Sequence, residues 1–230
     1  MSRHHAAPNA AEDTPARNRP PEALVRGLPR QSRSSVTVDN LLDAALRLAD
    51  ARDAAPDTNA IAERAGYSVG TLYRYFANKD EILRACIARE LRRVLPKVLQ
   101  VLDSESHPSL HAMLERLACV MSSSFGRRAA VRRVVFGQLR DEQVRQIDRF
   151  ALERIAEALA QRLHRGEFPG VAAVSPIQAR TVVHATAHAL RRALASRQPP
   201  HEVEEMKREA VRMAHAYLCS HAGPAQEQAG

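Results

Sequence analysis

The sequence predicts an all-α protein, in which an N-terminal three-helix helix-turn-helix domain precedes a larger helical C-terminal domain. Apolar residues recur at intervals of three and four over most of the chain, which is the spacing of helices with one buried face. Ser, Thr, Asn and Pro stand where these segments begin, as helix caps do. In addition, no segment alternates apolar and polar residues as a half-buried strand would.

The first 35 residues are predicted to be a disordered arm. They mix Pro, Ala, Arg, Ser and His without periodicity. The end of this arm contains Arg26, Arg30 and Arg33 with no acidic residue among them. It is therefore either a solvated tail or a basic arm that lies along a phosphate backbone.

The first ordered helix is expected to begin at Thr37, a favourable N-cap. Val36 and Leu41 occupy the positions of a hydrophobic staple around it. Apolar residues then follow helical spacing, and the helix should end near Arg52 because Pro56 follows.

Two short helices and a tight turn come next. Thr58 is expected to cap the first of them, NAIAERA, and Gly66 to end it in a left-handed conformation. Ser68 is expected to cap the second, VGTLYRY. Asn78 and Glu81 have the spacing of a capping box and open a fourth helix.

The rest of the chain is predicted to be helical with short loops. Pro96 should kink or end the fourth helix near Leu95. Residues 166–174 have loop composition, and the sequence Ser-Pro-Ile-Gln at 175–178 is a strong helix start. A last helix is expected over roughly 202–221.

Composition excludes several classes of protein. The longest apolar runs are far shorter than the roughly 18 residues that a membrane span needs, and the N-terminus has no apolar signal region. The three cysteines are far apart and form no CxxC pair, which argues against a disulfide scaffold and a zinc ribbon. These features fit a reducing compartment, so we expect a cytoplasmic protein with no membrane partner.

The net charge of +8 is weak evidence for nucleic-acid binding. The excess is divided evenly between residues 1–100 and 101–230, and only three of the 34 basic residues are lysines. A coding bias toward Arg and Ala produces the same composition without any function. DNA binding must therefore be inferred from individual side chains at specific positions in the fold.

The two short helices form a helix-turn-helix pattern, with Gly66 in the turn. Four apolar residues are expected to lock them together: Ile61, Ala62, Ala65 and Leu72. This packing leaves the outer face of the second helix free to contact base edges and phosphates, with small residues first and hydroxyl or Arg donors after them. That face consists of Val69, Gly70, Thr71, Tyr73 and Arg74.

Three of the four tyrosines lie in this stretch, followed by an aromatic core residue and a lysine. Packing into the core beside the turn explains Phe76, and it largely explains Tyr67. Core packing explains Tyr73, Tyr75 and Lys79 less well, because a Tyr can pack its ring and still offer its hydroxyl to a phosphate. A lysine at a helix N-terminus is well placed only when an anion is present.

The stretch TNAIAERAGYSVGTLYRYFANKDEIL, residues 58–83, resembles the DNA-binding motif of the TetR (tetracycline-repressor) family of bacterial transcription regulators. The resemblance extends over roughly residues 33–95. Two departures are visible: Tyr67 stands where a small aliphatic residue is usual, and the link after helix one lacks the usual Gly. Neither of them belongs to the outer face of the second short helix, which we call the reading face.

The resemblance implies roles for individual residues. The start of the first short helix would touch phosphate or a base edge, and the start of the second short helix would face the major groove. The Tyr and Lys side chains would bind phosphates. Arg74 would contact either a guanine or a phosphate. The implied DNA-binding residues are Arg30, Arg33, Thr58, Asn59, Val69, Gly70, Thr71, Tyr73, Arg74, Tyr75 and Lys79.

The resemblance also implies a division of the chain. The C-terminal domain of such proteins binds an effector and forms the dimer. We therefore assign residues 1–35 to a disordered basic arm, 36–80 to the helix-turn-helix domain, 81–222 to a helical effector-binding and dimerisation domain, and 223–230 to a disordered tail.

The last two helices are the candidate dimer interface. Their apolar residues recur at i, i+4, i+7 and i+11, and two such helices from each subunit would form a four-helix interface. The same stripes would equally serve as the core of a single chain. The candidates are Val183, Ala187, Leu190, Leu194, Val203, Met206, Ala210, Met213 and Tyr217.

The middle helices are the candidate effector pocket, although most of these residues fit a core equally well. The set is apolar and indicates a hydrophobic small molecule: Met113, Leu117, Met121, Phe125, Phe136, Phe150 and Ile155. His184 and His188 have a spacing that can chelate a metal, but no further ligand stands beside them in sequence. We expect no metal and no cofactor.

The sequence therefore predicts a homodimeric regulator that binds a palindromic DNA operator, most simply as a repressor, and is released by a small-molecule effector. An enzyme is disfavoured, because the chain has no Gly-rich phosphate loop, no G-x-S-x-G elbow and no H-E-x-x-H motif. The remaining alternative is a non-specific, nucleoid-type DNA-binding protein.

Overall fold

A computed structural model of the 230-residue chain describes residues 32–52, 56–104, 107–124, 141–196 and 198–220. The predictions for Arg30, the segment 125–140 and the tail after residue 220 lie outside these residues. No strand occurs in the described part, and the all-α prediction is confirmed. The helices are α1 (Ser32–Arg52), α2 (Thr58–Ala65), α3 (Val69–Tyr73), α4 (Lys79–Asp103), α5 (Leu110–Ser124), α6 (Glu142–His164), α7 (Pro176–Ala195) and α8 (Pro200–Cys219).

Helices α1 to α3 and the first half of α4 form one packed unit, which we call the head. Its apolar cluster includes Leu41, Ile61, Leu72 and Phe76, all of which are buried. Ile61 and Leu72 are fully buried, so α2 and α3 are locked together as the sequence predicts. The head extends beyond residue 80, because Ile82 and later residues of α4 belong to the same cluster.

The predicted start of the first helix is wrong. Helix α1 begins at Ser32, so the last residues assigned to the disordered arm are helical and Thr37 is not an N-cap. The hydrophobic staple does not form either, because Val36 is 57% exposed while Leu41 is fully buried. No Gly or Pro interrupts residues 32–52, so the sequence contains no helix breaker that would start the helix at Thr37.

The turn between α2 and α3 confirms one cap and corrects another. Gly66 adopts φ +78° and ψ +27°, the left-handed conformation that glycine reaches without a Cβ penalty. The N-cap of α2 is Asp57 and not Thr58: the Ala60 N–H donates to Asp57 Oδ1 over 2.9 Å. Thr58 is the first residue inside the helix.

Helix α4 passes through Pro96, where a kink or an end was expected. The helix is unbroken from Lys79 to Asp103, and Pro96 is exposed on its surface. Because proline has no N–H, the Arg92 carbonyl loses its partner within the helix, at a cost of about 3 kcal/mol. Val94 and Val98 are buried on either side of Pro96, and this packing holds the helix together.

The second half of α4 and helices α5 to α8 form a second packed unit, which we call the body. Its largest buried residues include Leu102, Met113, Leu163, Leu190 and Leu218. Two ion pairs join α6 to α7: Arg191 donates to Asp148, and Arg180 Nε lies 2.9 Å from Glu153 Oε2. None of the helices in the described part is long and apolar enough to cross a membrane.

Head and body are joined at the start of α6. Val144 is fully buried within the head cluster, although its helix belongs to the body. Asp141 caps α6 by accepting the N–H groups of Gln143 and Val144, and its other oxygen accepts from Arg84 over 2.9 Å. Partial burial by itself would raise the pKa of the Asp141 carboxyl. The hydrogen bonds from the Val144 N–H and Arg84 outweigh this effect, so the pKa lies below its ordinary value.

Cys86 lies in the head cluster, where only 1% of its surface is exposed. Its Sγ is 3.8 Å from the Leu42 carbonyl oxygen, and burial raises the pKa of the thiol to about 12. Cys119 is exposed and Cys219 is half-buried, and all three cysteines are free.

Pro96→Ala is expected to stabilise the protein. The substitution restores one helical hydrogen bond in α4, and part of the gain is offset because the unfolded chain loses the restriction of proline. The free energy of unfolding in urea should rise by about 1–2 kcal/mol at a fixed protein concentration. Pro108→Ala, outside any helix, is the control and should give no such rise; a lower value for Pro96→Ala would contradict the account of α4.

Candidate nucleic-acid interface

The second helix of the turn, α3, has only five residues and depends on its surroundings for order. A helix this short is not stable alone. The Ser68 side chain caps it by accepting the Thr71 N–H over 3.1 Å, and the two hydroxyls lie 2.9 Å apart. On the inner side, Leu72 is fully buried and anchors the helix in the head.

The outer face of α3 is open, as the sequence predicts. Val69 is 38% and Tyr73 51% exposed, which is unusual for large apolar side chains. Gly70 and Arg74 are exposed and Thr71 is half-buried. Among the described residues, a Cβ on Gly70 would meet only Ser68 Oγ, at 3.8 Å, so no contact in that part of the chain requires glycine here.

Tyr73 is held in place on this surface by a contact with α2. Its hydroxyl lies 3.1 Å from Thr58 Oγ1, and either group can donate. Thr58 and the exposed Asn59 are the first two residues of α2. The structure therefore brings the start of α2 next to the reading face of α3, and the two elements offer their hydroxyls together.

Tyr67 contributes more than the core packing assigned to it. Asn40 of α1 donates from Nδ2 to the Tyr67 hydroxyl over 3.1 Å, which connects the turn to α1. This hydrogen bond, with a second one from Thr37, holds the pKa of the Tyr67 phenol below its ordinary value. No sequence signal connects residues 27 positions apart, so the analysis of the sequence missed Asn40.

The remaining aromatic residues of the head lie in its core or against it. Phe76 is only 4% exposed and belongs to the head core, and Tyr75 packs against that core while half-buried. Lys79 is the exposed first residue of α4. Within the described part of the chain, neither Lys79 nor Arg74 forms an ion pair, so both cations are available to an anion from outside.

The cap at the start of α4 differs in one detail from a capping box. Asn78 accepts the Glu81 N–H over 2.9 Å, as predicted. The Glu81 carboxylate accepts from Ala77 instead of Asn78, over 2.6 Å. These two hydrogen bonds still fix the backbone at the start of α4, and with it the backbone position of Lys79.

The basic arm is only partly within the described residues. Arg30 lies outside them. Arg33 is the second residue of α1, and its side chain lies outside the described part. Their role at a DNA backbone stays a prediction.

An apolar cavity lies in the body, enclosed by α4, α5, α6, α7 and α8. It has about 570 Å³ of space between atoms, part of it open to solvent. Of its fifteen described lining residues, fourteen are apolar and one, Thr186, is polar. This body cavity is the second candidate site.

The structure places the predicted pocket residues unevenly. Leu117, Met121 and Ile155 line the body cavity. Met113 is fully buried in the core and Phe150 is half-buried, and neither lines the cavity. Phe125 and Phe136 lie outside the described residues.

The predicted dimer residues also fall into groups. Val183, Ala187 and Leu190 line the cavity, and all three face the inside of a single chain. Leu194 and Ala210 are buried within the same chain, so the stripe on α7 is largely intrachain core. On α8, Met213 is 43% exposed, whereas three candidates are half-buried: Val203, Met206 and Tyr217.

The two histidines of α7 do not converge on a common ligand. His184 Nε2 lies 3.8 Å from Glu153 Oε1, and His188 is exposed beside Arg191 and Arg192. Among the described residues, no three His, Cys, Asp or Glu side chains are grouped so that they could hold a metal ion.

Comparison with known proteins places the head in a family. A family model described as "Bacterial regulatory proteins, tetR family" matches residues 41–86, which span α1 to the first half of α4. An HTH-type transcriptional regulator of Mycobacterium tuberculosis, itself uncharacterized, is 40% identical over 76 residues, which are 31% of this chain and 38% of that protein. The HTH-type transcriptional repressor KstR of Rhodococcus jostii is 39% identical over 84 residues, 36% of each chain.

The whole fold has a counterpart as well. A Mesorhizobium loti structure described as a TetR-family transcriptional regulator aligns with 81% of this chain and 98% of its own, with a TM-score of 0.60 and 19% identity. The head therefore matches the tetR family over residues 41–86, and the rest of the chain shares the fold. The two curated HTH-type relatives are matched over less than two fifths of their length, and the structural likeness of the body shows the fold alone.

Asn40→Ala is expected to raise the pKa of Tyr67 toward its ordinary value. The variant removes the stronger of the two hydrogen bonds that favour the phenolate, and the bond from Thr37 remains. The titration is followed by NMR of ¹³C-labelled tyrosine, with the signal assigned from Tyr67→Phe. Asn59→Ala, an exposed residue of the same type, is the control, and an unchanged Tyr67 pKa in Asn40→Ala would rule out this contact.

Proposed function

We propose that this TetR-family chain is a transcriptional regulator that binds a palindromic DNA operator as a homodimer and is released by a small-molecule effector. The observation that carries the proposal is the outer face of α3, where Gly70 leaves the backbone uncovered beside Tyr73 and Arg74. Among the described residues, Arg74 on this surface forms no ion pair, so its charge is open to a partner. We infer that it binds and regulates, without catalysing a reaction, in the cytoplasm where bacterial DNA lies.

The reading face suits the major groove, which admits one α-helix. Val69 and Gly70 stand at the N-terminal end of α3 and let the helix approach base edges closely. Thr71 and Arg74 supply the donors, and an Arg pairs with a guanine through two hydrogen bonds. These groups set the sequence preference.

Phosphate contacts would fix the position of this helix on the duplex. The proposed ligands of phosphate are Lys79, the hydroxyls of Tyr73 and Tyr75, and the start of α2 at Thr58 and Asn59. Arg30 and Arg33 would lie along the backbone or in the minor groove. Lys79 follows the turn and is fixed by the cap at Asn78, so its charge is positioned before DNA arrives.

The dimer is proposed to form through the outer surfaces of α7 and α8. Their inner apolar residues are used within the chain, so the contact must come from outward residues such as Met213 and Ile177, which are 43% and 67% exposed. One short recognition helix gives little affinity, and two heads on a palindrome approximately double the binding energy.

Helix α4 offers a physical route from effector to DNA. Val98 of α4 lines the body cavity, whereas Ile82 and Cys86 of the same helix belong to the head core. Lys79 and Val98 are about 29 Å apart along the helix axis. A ligand that favours a tilted α4 would change the spacing of the two heads, and by linkage DNA and ligand would each weaken the binding of the other.

Lys79→Ala and Arg74→Ala are expected to weaken operator binding while the dimer survives. Each Arg–guanine contact supplies roughly 1–3 kcal/mol, so Arg74→Ala should cost ten-fold or more in affinity. Lys79→Ala should reduce the salt dependence of binding by about one counterion per head. Affinity is measured by fluorescence anisotropy on the operator selected from random DNA, at several stated salt concentrations.

Lys97→Ala is the matched control, because Lys97 is an exposed lysine on the body half of the same helix. Its affinity and salt dependence should equal those of the wild type. Unchanged operator binding in both head variants would contradict the assignment of the α3 face and Lys79 to DNA binding. Failure of random DNA to yield any preferred sequence would favour the nucleoid-type alternative instead.

Gly70→Ala is expected to separate folding from DNA binding. The new Cβ has room within the chain, and alanine in place of helical glycine should add roughly 0.5–1 kcal/mol of stability. On DNA the same methyl group would occupy the space needed for close approach, so affinity should fall by at least ten-fold. A variant that is destabilised, or that binds the operator normally, would contradict this use of Gly70.

A further inference from the structure

The body cavity has a chemistry that restricts what it can hold. Its described lining comes from five helices and includes no charged side chain. A carboxylate or an ammonium group placed there would lose its hydration and gain no counter-charge, which costs several kcal/mol. An apolar molecule has no such hydration to lose, so it enters at no comparable cost.

The one polar lining residue, Thr186, has an unsatisfied hydroxyl. Its Oγ1 is buried and has no hydrogen-bond partner. Threonines and serines elsewhere in these helices bond the carbonyl one turn back: Thr181 donates to Ile177 over 2.7 Å, and Ser122 donates to Ala118 over 2.6 Å. A buried hydroxyl without a partner has lost its hydration and gained no hydrogen bond in return. Thr186 is therefore the position in this cavity where a polar group of a ligand would be most favourable.

We propose that the effector is an uncharged, largely hydrocarbon molecule with one hydroxyl or carbonyl group, and that this group bonds to Thr186. The inference rests on the proposed function, in which the body cavity is the effector site. The apolar wall binds the hydrocarbon part by burial, and the Thr186 hydroxyl selects ligands that carry an oxygen at one position. A charged analogue of the same size is excluded by desolvation.

Four probes that share one six-membered ring test the charge and the polar group separately: cyclohexane, cyclohexanol, cyclohexanecarboxylate and cyclohexylammonium. Each is titrated at pH 7 into the full chain with ¹³C-methyl-labelled methionine. Met121 lines the cavity and reports occupancy, and the exposed Met213 on α8 is the internal reference. Cyclohexanol should shift the Met121 signal alone and bind at least ten-fold more tightly than either charged probe.

Three variants on α7 test the role of Thr186. Thr186→Val keeps the shape and removes the hydroxyl, so it should lose about five- to ten-fold in affinity for cyclohexanol and none for cyclohexane. Thr186→Ser keeps the hydroxyl and should retain the preference for the alcohol. Thr181→Val, on the same helix but with its hydroxyl bonded to the backbone, is the matched control and should bind like the wild type.

The inference is overturned if a charged probe binds as tightly as cyclohexanol, if Met121 does not respond, or if Thr186→Val keeps the wild-type preference. All these titrations are made without DNA. Release of the operator is measured separately with saturating cyclohexanol. Occupancy of the cavity without release would refute the effector role in the proposed function and leave the ligand class standing, so the two failures are distinguishable.

Discussion

The structure depends on one helix that belongs to two cores. Ile82 and Cys86 near the start of α4 are buried in the head, and Val98 and Leu102 near its end are buried in the body. A helix of 25 residues is about 37 Å long, so this single element sets the distance between a DNA-facing surface and a ligand cavity. Among the described residues, Val144 in the head cluster and the Arg84–Asp141 ion pair also join the two parts, so movement of the head is coupled to movement of α4.

The reading surface is ordered by polar contacts as much as by apolar burial. Helix α3 is too short to be stable by itself, and its cap at Ser68, the buried Leu72 and the Tyr73–Thr58 contact together hold it against α2. Side chains fixed in this way lose little further freedom when a ligand binds, which conserves binding energy. The Tyr67–Asn40 contact extends the same support to α1.

The sequence predicted what short-range physics decides and missed what tertiary packing decides. Gly66 and the Ser175 capping box were predictable because they satisfy backbone groups within a few residues. The unbroken course through Pro96 was not, since the burial of Val94 and Val98 outweighs the local preference of proline. The start of α1 was not either, because a favourable cap such as Thr37 also fits inside a helix. The face of α3 followed from the need to bury Leu72. The spacing of Leu190 and Leu194 could not distinguish an intrachain core from a dimer contact, and the unpaired hydroxyl of Thr186 depends on rotamer and neighbours that no sequence pattern records.

The burial of Cys86 has a consequence for the chemistry of the head. With its pKa raised to about 12, the thiol is almost entirely protonated at physiological pH, and the thiolate is the form that oxidants and alkylating agents attack. Burial and protonation therefore both protect the Cys86 thiol from peroxide and electrophiles. Any thiol modification falls on Cys119 or Cys219 of the body, so maleimide dyes attach there and leave the reading surface unlabelled.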